Sequence, residues 1–251
     1  MNKQSIILAL VAILLISCQS HRYVISSMSG TVVEMNSSFD ADPNKKMQAL
    51  VQKYKTRLDN EMNEVIGTSV QLLDYGRPES LLTNLTSDVM KAYGDEHLPN
   101  GADVAIMNVN GHRANLPKGK ITVGALYEIY SFDNAITFLE LKGSDLKKIF
   151  DSYARIGGAG VSSNVKLVIK DRKVQSVTVD GKPIDENKIY NISTLDYLAD
   201  GNNDMDALLN AQKTVNTGVT LRDVMIDYVK EQTRQGNEIT SSLDGRITII
   251  Q

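Results

Sequence analysis

The sequence predicts a mixed α/β or α+β domain preceded by one long amphipathic helix, and three observations carry that reading. Helix-period and strand-period segments are interleaved along the chain rather than segregated. Two short apolar runs, 165–169 and 174–179, are separated by the charged turn Asp171-Arg-Lys173, so a hairpin sits among segments that need crossover connections. No internal repeat is evident, which argues against a solenoid or propeller.

The N-terminus reads as a targeting segment. Lys3 is followed by an apolar run from Ile6 to Ile16, too short to span a bilayer of roughly 30 Å as a helix, so 1–17 is expected to be a signal peptide. A small residue, Ser17, directly precedes the only cysteine, with aliphatic residues ahead of it. This resembles the lipoprotein signal peptidase site, which implies a lipid on Cys18 and a chain anchored to a bacterial membrane, facing the periplasm or the cell surface. A lone cysteine admits no internal disulfide. Residues 18–42, rich in Ser and Asn, read as a tether with one strand at 30–35.

Asp42-Pro43 reads as an N-cap followed by a first-turn proline. Met47, Leu50, Val51, Tyr54, Leu58, Met62 and Val65 then recur at three- and four-residue steps, predicting a helix over 43–65. A single domain over 66–251 follows. Its expected elements are a strand at 66–73 broken at Gly67, and a helix at 80–93 with Leu81, Leu85, Val89 and Ala92 on one stripe. Next come a strand at 103–108, a helix at 122–129, a strand at 135–141 and a helix from Ser144 to about 155. The hairpin, a strand at 189–194, a Thr220-capped helix to about 233 and a strand at 246–250 complete the chain.

A net charge of -3 with no strongly basic stretch argues against neutralising a polymeric phosphate backbone, so DNA or RNA is not the expected partner. Three turns carry usable chemistry. After strand 103–108 come Asn108, Asn110, Gly111 and Arg113, where a glycine lets backbone approach a ligand and amide and guanidinium groups can fork onto planar acceptors. Phe132 lies between a helix and a strand, beside Asp133 and Asn134, where an aromatic ring can stack on a base. Tyr197 precedes Leu198-Ala-Asp-Gly-Asn-Asn-Asp204, a loop dense in turn formers. Spacing alone leaves open the blander readings: a polar turn closed by a surface arginine, a satellite core ring and a hydrated loop.

Their order resembles the C-terminal domain of 5'-nucleotidases, over about Val65 to Ile250. The similar pieces are Leu82-Thr-Asn-Leu85, Ala102-Asp-Val-Ala-Ile-Met-Asn108 running into Gly111 and Arg113, Ile121-Thr-Val-Gly124 and Ser131-Phe-Asp-Asn134. They continue with Leu139-Glu-Leu-Lys-Gly143, Gly181-Lys-Pro-Ile-Asp185, Lys188-Ile-Tyr190, Thr194-Leu-Asp-Tyr-Leu-Ala199 and Asp244-Gly-Arg-Ile247. The resemblance implies layered helices and mixed sheets, and a site that holds a nucleoside with its base between two aromatic rings. It places Phe132 and Tyr197 at the stacking positions, Asn108 at the base-contacting position and Arg113 at the family arginine. Asn110, Asn134, Asn203 and Asp204 complete the implied substrate-binding set. The helix 43–65 would correspond to the connector between the two domains of the full-length family.

Departures from the pattern are specific. Gly201-Asn-Asn-Asp204 stands where Gly-Gly-Asp-Gly is usual, so Asn203 matches the ribose-binding aspartate and Asp204 sits one place late. His112 replaces an isoleucine, Ser131 a proline, and Glu79 stands where an arginine is expected, with Arg77 near it.

Catalysis in those enzymes comes from a separate metallophosphatase domain whose two metal ions need several His and Asp ligands. This chain has three histidines, His21, His97 and His112, and Asp95-Glu-His97 lies in a charged turn without partner histidines. No stretch of it resembles the metal-bearing half. The resemblance thus implies the substrate-binding half of a split 5'-nucleotidase, a phosphoric monoester hydrolase component not catalytic alone and holding no cofactor. A separate metallophosphatase chain would carry the divalent metals. The alternatives are a stand-alone nucleoside-binding surface lipoprotein and a degenerate scaffold that binds nothing.

Overall fold

The computed structural model describes Asn2, residues 24–41 and residues 43–250. The expected leader, Cys18, His21 and the Asp42 cap therefore lie outside the described residues. Two units divide between Leu50 and Val51. In the first, described residues are exposed and a 3-10 turn forms at Ser37–Ala41. Residues 30–35 are irregular, so the expected strand there is not formed: a strand without a neighbour leaves its backbone groups to water. Helix α1 (Lys45–Met62) begins two residues later than expected, because Asn44 caps it, accepting from the amides of Lys46 (3.1 Å) and Met47 (3.2 Å).

In the second unit, strand β1 (Val65–Ser69) pairs antiparallel with β3 (Gly119–Thr122), and the residues beyond Ser69 leave the ladder. Helix α2 (Leu81–His97) runs four residues past the expected end. It buries not only Leu82, Leu85, Val89 and Met90 but also Thr83, Asn84, Thr86 and Ser87, because it is covered on more than one side. Strand β2 (Val104–Met107) is buried at every position. Helix α3 (Val123–Ile129) starts at Thr122, whose hydroxyl accepts from the Ala125 amide. Strand β4 (Ala135–Lys142) leads directly into α4 (Gly143–Ile156), which ends on Gly157 in the left-handed conformation, φ 81°.

Strand β5 (Gly160–Val161) and the hairpin β6 (Val165–Lys170) to β7 (Lys173–Val179) follow, the latter turning on Asp171 and Arg172 at positive φ. Then come β8 (Lys182–Pro183), β9 (Ile189–Leu195), the single turn α5 (Asp196–Ala199) and β10 (Lys213–Thr220). Helix α6 (Leu221–Arg234), capped by the Thr220 hydroxyl, and β11 (Ile247–Ile250) close the chain. The sequence reading did not anticipate β3, β5, β8 and β10. The longest of them, β10, is an edge strand with mostly exposed residues, so it lacks an apolar alternation.

Two larger sheets result, one ordered β10-β4-β9-β2-β5 and one ordered β11-β6-β7-β8. The first is mixed: β9 is parallel to β2 and antiparallel to β4. Helix α2 packs on β2, β5 and β9, while α4 packs against β4 and β7. Within the core Phe150 and Tyr153 meet edge to face at 6.2 Å. The buried guanidinium of Arg246 is not left alone: it is gripped by both oxygens of Asp88 (3.0 Å each) and by Asp244 (2.8 Å).

Gly143 marks the tightest junction. Its amide donates to Lys188 O at 2.9 Å, and a Cβ added there would collide with the Asp185 carbonyl. Gly143→Ala is therefore expected to cost about 2 kcal/mol by overpacking, read as a lowered midpoint in denaturant unfolding; an unchanged midpoint would show that the Asp185–Lys188 turn yields freely.

Candidate functional site

Sheet topology converges three loops. Because β9 is parallel to β2, the carboxyl ends of both strands point the same way, and because β4 is antiparallel to β9, with Ile136 opposite Leu195, its amino end lies beside them. The segments that leave those ends are Asn108–Arg113, Ser131–Asn134 and Tyr197–Asp204. Each was singled out from sequence, and pairing alone brings them together.

The first segment departs from a rigid strand end. Thr194 Oγ1 donates to Ile106 O at 3.1 Å, and the Tyr153 hydroxyl lies 3.0 Å from Met107 O, where burial raises its pKa. Beyond Met107 the chain tightens into a 3-10 turn, Val109–Gly111. Gly111 packs closely here, since a Cβ there would sit 3.0 Å from Asn108 Oδ1 and press on that side chain. That Oδ1 is buried and has no protein donor. Arg113 donates its amide to Ile129 O (2.9 Å) and lays its guanidinium 4.7 Å from the centre of the Phe132 ring.

The second segment hangs between α3 and β4. Asp133 is held by Arg222 Nη2 at 2.5 Å, and Asn134 O accepts from the Leu221 amide at 2.9 Å. In the third, Tyr197 O accepts from Asn202 Nδ2 at 2.8 Å, and Asn203 and Asp204 are consecutive non-glycine residues at φ 61° and 60°. Two such residues in a row are uncommon and strained, and they twist this loop sharply at its tip.

Together these segments bound an open cavity of about 310 Å³. Asn108, Asn110, Arg113 and Phe132 line it from one side of the chain order, Asn134, Tyr197 and Asn203 from the other, with Gly111 between. Both rings keep a free surface, Phe132 at 42% and Tyr197 at 41% exposure, so neither is a satellite of the core. Asp204, expected with them, does not line the cavity. Three larger clefts, of about 420, 490 and 440 Å³, lie against Lys147, against Arg246 and against Arg155 with Arg172; Lys147 is paired with Glu186 and Arg246 with Asp88 and Asp244, and none of the three is flanked by Phe132 or Tyr197. Arg77, the nearest candidate for an added phosphate contact, donates instead to Gly158 O at 2.8 Å.

His112, in the ligand turn by sequence, faces inward and is 1% exposed. Its Nε2 lies 2.9 Å from Thr86 Oγ1 and its Nδ1 3.1 Å from Val109 O. Burial lowers its pKa to about 4, opposed by the bond to Val109 O, so the ring is neutral at pH 7. Its partner Thr86, the Tyr130 hydroxyl bonded to Thr86 in turn, and the Arg222 that holds Asp133 escaped the sequence reading, since no local spacing connects positions so far apart. His97 is engaged elsewhere, its Nδ1 2.8 Å from Tyr93 O and its ring stacked on Tyr93 at 3.9 Å. Among the described residues no three His, Cys, Asp or Glu side chains gather where they could hold a metal ion.

The fold and cavity define an α+β domain with a concave, aromatic-flanked site of small-molecule size. Residues 64–210 match the family model described as "5'-nucleotidase, C-terminal domain", and the chain belongs to that family. It is 28% identical to a 5'-nucleotidase of Diplobatis ommata over 252 residues, which cover 88% of this chain and 43% of that protein. With Protein UshA of Escherichia coli it shares 25% identity across 75% of its own length and 35% of the relative's. Among solved structures, the 5'-nucleotidase precursor of Thermus thermophilus superposes with a TM-score of 0.70 at 27% identity, covering 84% of this chain and 44% of that one. The chain thus spans less than half the length of these relatives.

The buried imidazole has a consequence for stability. The unfolded chain binds a proton at His112 below about pH 6.5, whereas the folded chain does so only near pH 4, so stability is highest above pH 6.5 and declines as pH falls from 6.5 to 4. Between pH 7 and pH 5 the loss from this group is expected to be about 2 kcal/mol. Urea unfolding of the wild type and His112→Phe at both pH values checks it: the variant should lose that much less, and equal pH slopes would show the imidazole to be solvated.

Proposed function

We propose that the chain is the nucleoside- or nucleotide-binding half of a split 5'-nucleotidase, whose phosphoester hydrolysis is supplied by a separate metallophosphatase chain. The observation that carries the reading is the cavity between Phe132 and Tyr197 in a member of this family. In it, the two rings hold a flat heterocycle, at roughly 1 to 3 kcal/mol per stacked contact. The unpaired acceptor of Asn108 matches an N–H donor on a base edge. Arg113 and Asn110 add polar groups to the cavity wall, and Asn203 supplies an amide to which a ribose hydroxyl can bond.

Hydrolysis is assigned to the partner on the chemistry of the side chains present. A two-metal site needs clustered His and Asp ligands, and the described residues hold His97 and His112 apart and already bonded. The described residues do not fit such ions, and the proposal gives bond breaking to the partner chain. In the same proposal the lipid on Cys18 keeps the binding domain at a bacterial membrane, facing the periplasm or cell surface, and α1 connects the domain to its tether. A stand-alone nucleoside-binding lipoprotein shares every feature of the cavity and differs only in lacking the phosphatase partner.

Three measurements test this. Calorimetry with adenosine should show binding that Phe132→Ala weakens about ten- to hundredfold; an unchanged affinity would remove the stacking role. The purified chain with AMP and a divalent metal should give no turnover until the candidate phosphatase chain is added, and robust hydrolysis by the chain alone would defeat the split reading. Cys18→Ser should move the protein from the membrane to the soluble fraction of its host; continued membrane association would exclude the lipid anchor.

A further inference from the structure

Two of the segments that line the cavity, the turn Asn108–Arg113 and the loop Ser131–Asn134, are also joined away from it by a buried chain of hydroxyl and imidazole groups. The Tyr130 hydroxyl lies 2.7 Å from Thr86 Oγ1, which lies 2.9 Å from His112 Nε2, and His112 Nδ1 lies 3.1 Å from Val109 O. All three side chains are essentially shielded from water: Thr86 is 0%, His112 1% and Tyr130 2% exposed.

The direction of every bond in the chain follows from the chemistry of its ends. A carbonyl oxygen only accepts, so Nδ1 carries the proton that faces Val109. A neutral ring then presents a lone pair at Nε2, which takes the single proton of Thr86, and Thr86 in turn accepts from Tyr130. The Thr86 hydroxyl has a second acceptor within reach, Leu82 O at 2.8 Å, but turning to it would leave Nε2 buried without a donor.

Each end is anchored in what it controls. Val109 O accepts from both the amide (3.2 Å) and Nδ1 of His112, which closes the 3-10 turn. Tyr130 is fixed through its amide to Leu126 O (2.9 Å) and through its carbonyl to Arg222 Nη1 (3.0 Å), the same arginine that holds Asp133.

We propose that His112, held by Thr86 and Tyr130, is a positioning residue for ligand binding: it sets the turn bearing Asn108, Asn110 and Arg113 against the loop bearing Phe132. The inference rests on the reading that the cavity takes a nucleoside. It goes beyond that reading by naming three residues, none of which lines the cavity, as determinants of affinity.

The test uses variants that keep the packing and remove single hydroxyls, Thr86→Val and Tyr130→Phe, on the whole chain at pH 7.5. Thr86→Val is expected to leave a cooperatively folded protein that binds adenosine about tenfold more weakly, because one buried hydrogen-bond acceptor is left without its donor. Tyr130→Phe should show a smaller loss in the same direction. In both, amide exchange at Gly111 and His112 should accelerate while exchange in β2 is unchanged, and nitrogen-15 spectra of the wild-type imidazole should show the Nδ1-protonated tautomer. If the wild type binds adenosine and Thr86→Val binds it equally well, the group is merely structural and the inference fails. If the wild type binds no adenosine, the nucleoside reading fails instead, and positioning is judged on exchange alone: unchanged protection of Gly111 and His112 in Thr86→Val overturns it, accelerated exchange upholds it.

Discussion

Strand β2 is buried on both faces and must end somewhere, and how it ends governs everything around the cavity. Inside the sheet its polar groups are met by β9 and β5, but past Ile106 and Met107 the ladder stops and the carbonyls turn to Thr194 and Tyr153. A buried carbonyl without a donor costs about 1 to 3 kcal/mol, so these two side chains fix where the chain leaves the sheet. The next residue is Asn108. The cavity is thus built on the rigid end of a core strand, with its side chains carried by short, tightly hydrogen-bonded turns rather than by long loops.

The cations near the site serve mainly to tie those turns together. Arg113 lies over Phe132, and Arg222 lies over Tyr127 at 4.1 Å while binding Asp133 and the Tyr130 carbonyl. A guanidinium suits both tasks because its planar face stacks on rings while its edge donates to oxygen. Arg113 remains on the cavity wall, whereas Arg222 is buried and committed to the scaffold. The cavity wall therefore carries one guanidinium, several amides and two aromatic rings.

The strain in the third loop belongs to the same economy of short connections. Gly201 at φ 83°, then Asn203 and Asp204 at 61° and 60°, reverse the chain within a few residues after α5. That reversal brings Asn203 to the cavity and leaves Asp204 out of its lining, although the two are adjacent and both polar. In a loop of this curvature, successive side chains diverge, and a one-place shift in the position of a carboxylate decides whether it can reach a ligand.

What the sequence determined by itself was the set of elements whose own residues carry the signal. The apolar run 104–107, the helix from Thr122, the Thr220 cap and the hairpin around Asp171 are local facts of propensity and periodicity, and they reappear within a residue or two. The order of polar and aromatic motifs, through the family resemblance, singled out Asn108, Arg113, Phe132 and Tyr197, and these four line one cavity. Only the tertiary structure decided the rest, because it depends on partners far away in the chain. The edge strand β10 exists because β4 offers it a ladder, and His112 turns inward where Thr86, itself bonded to Tyr130, meets its ring with a hydrogen bond. A residue's neighbours along the chain set its conformation, but which polar group meets it in the interior is settled only when the layers close.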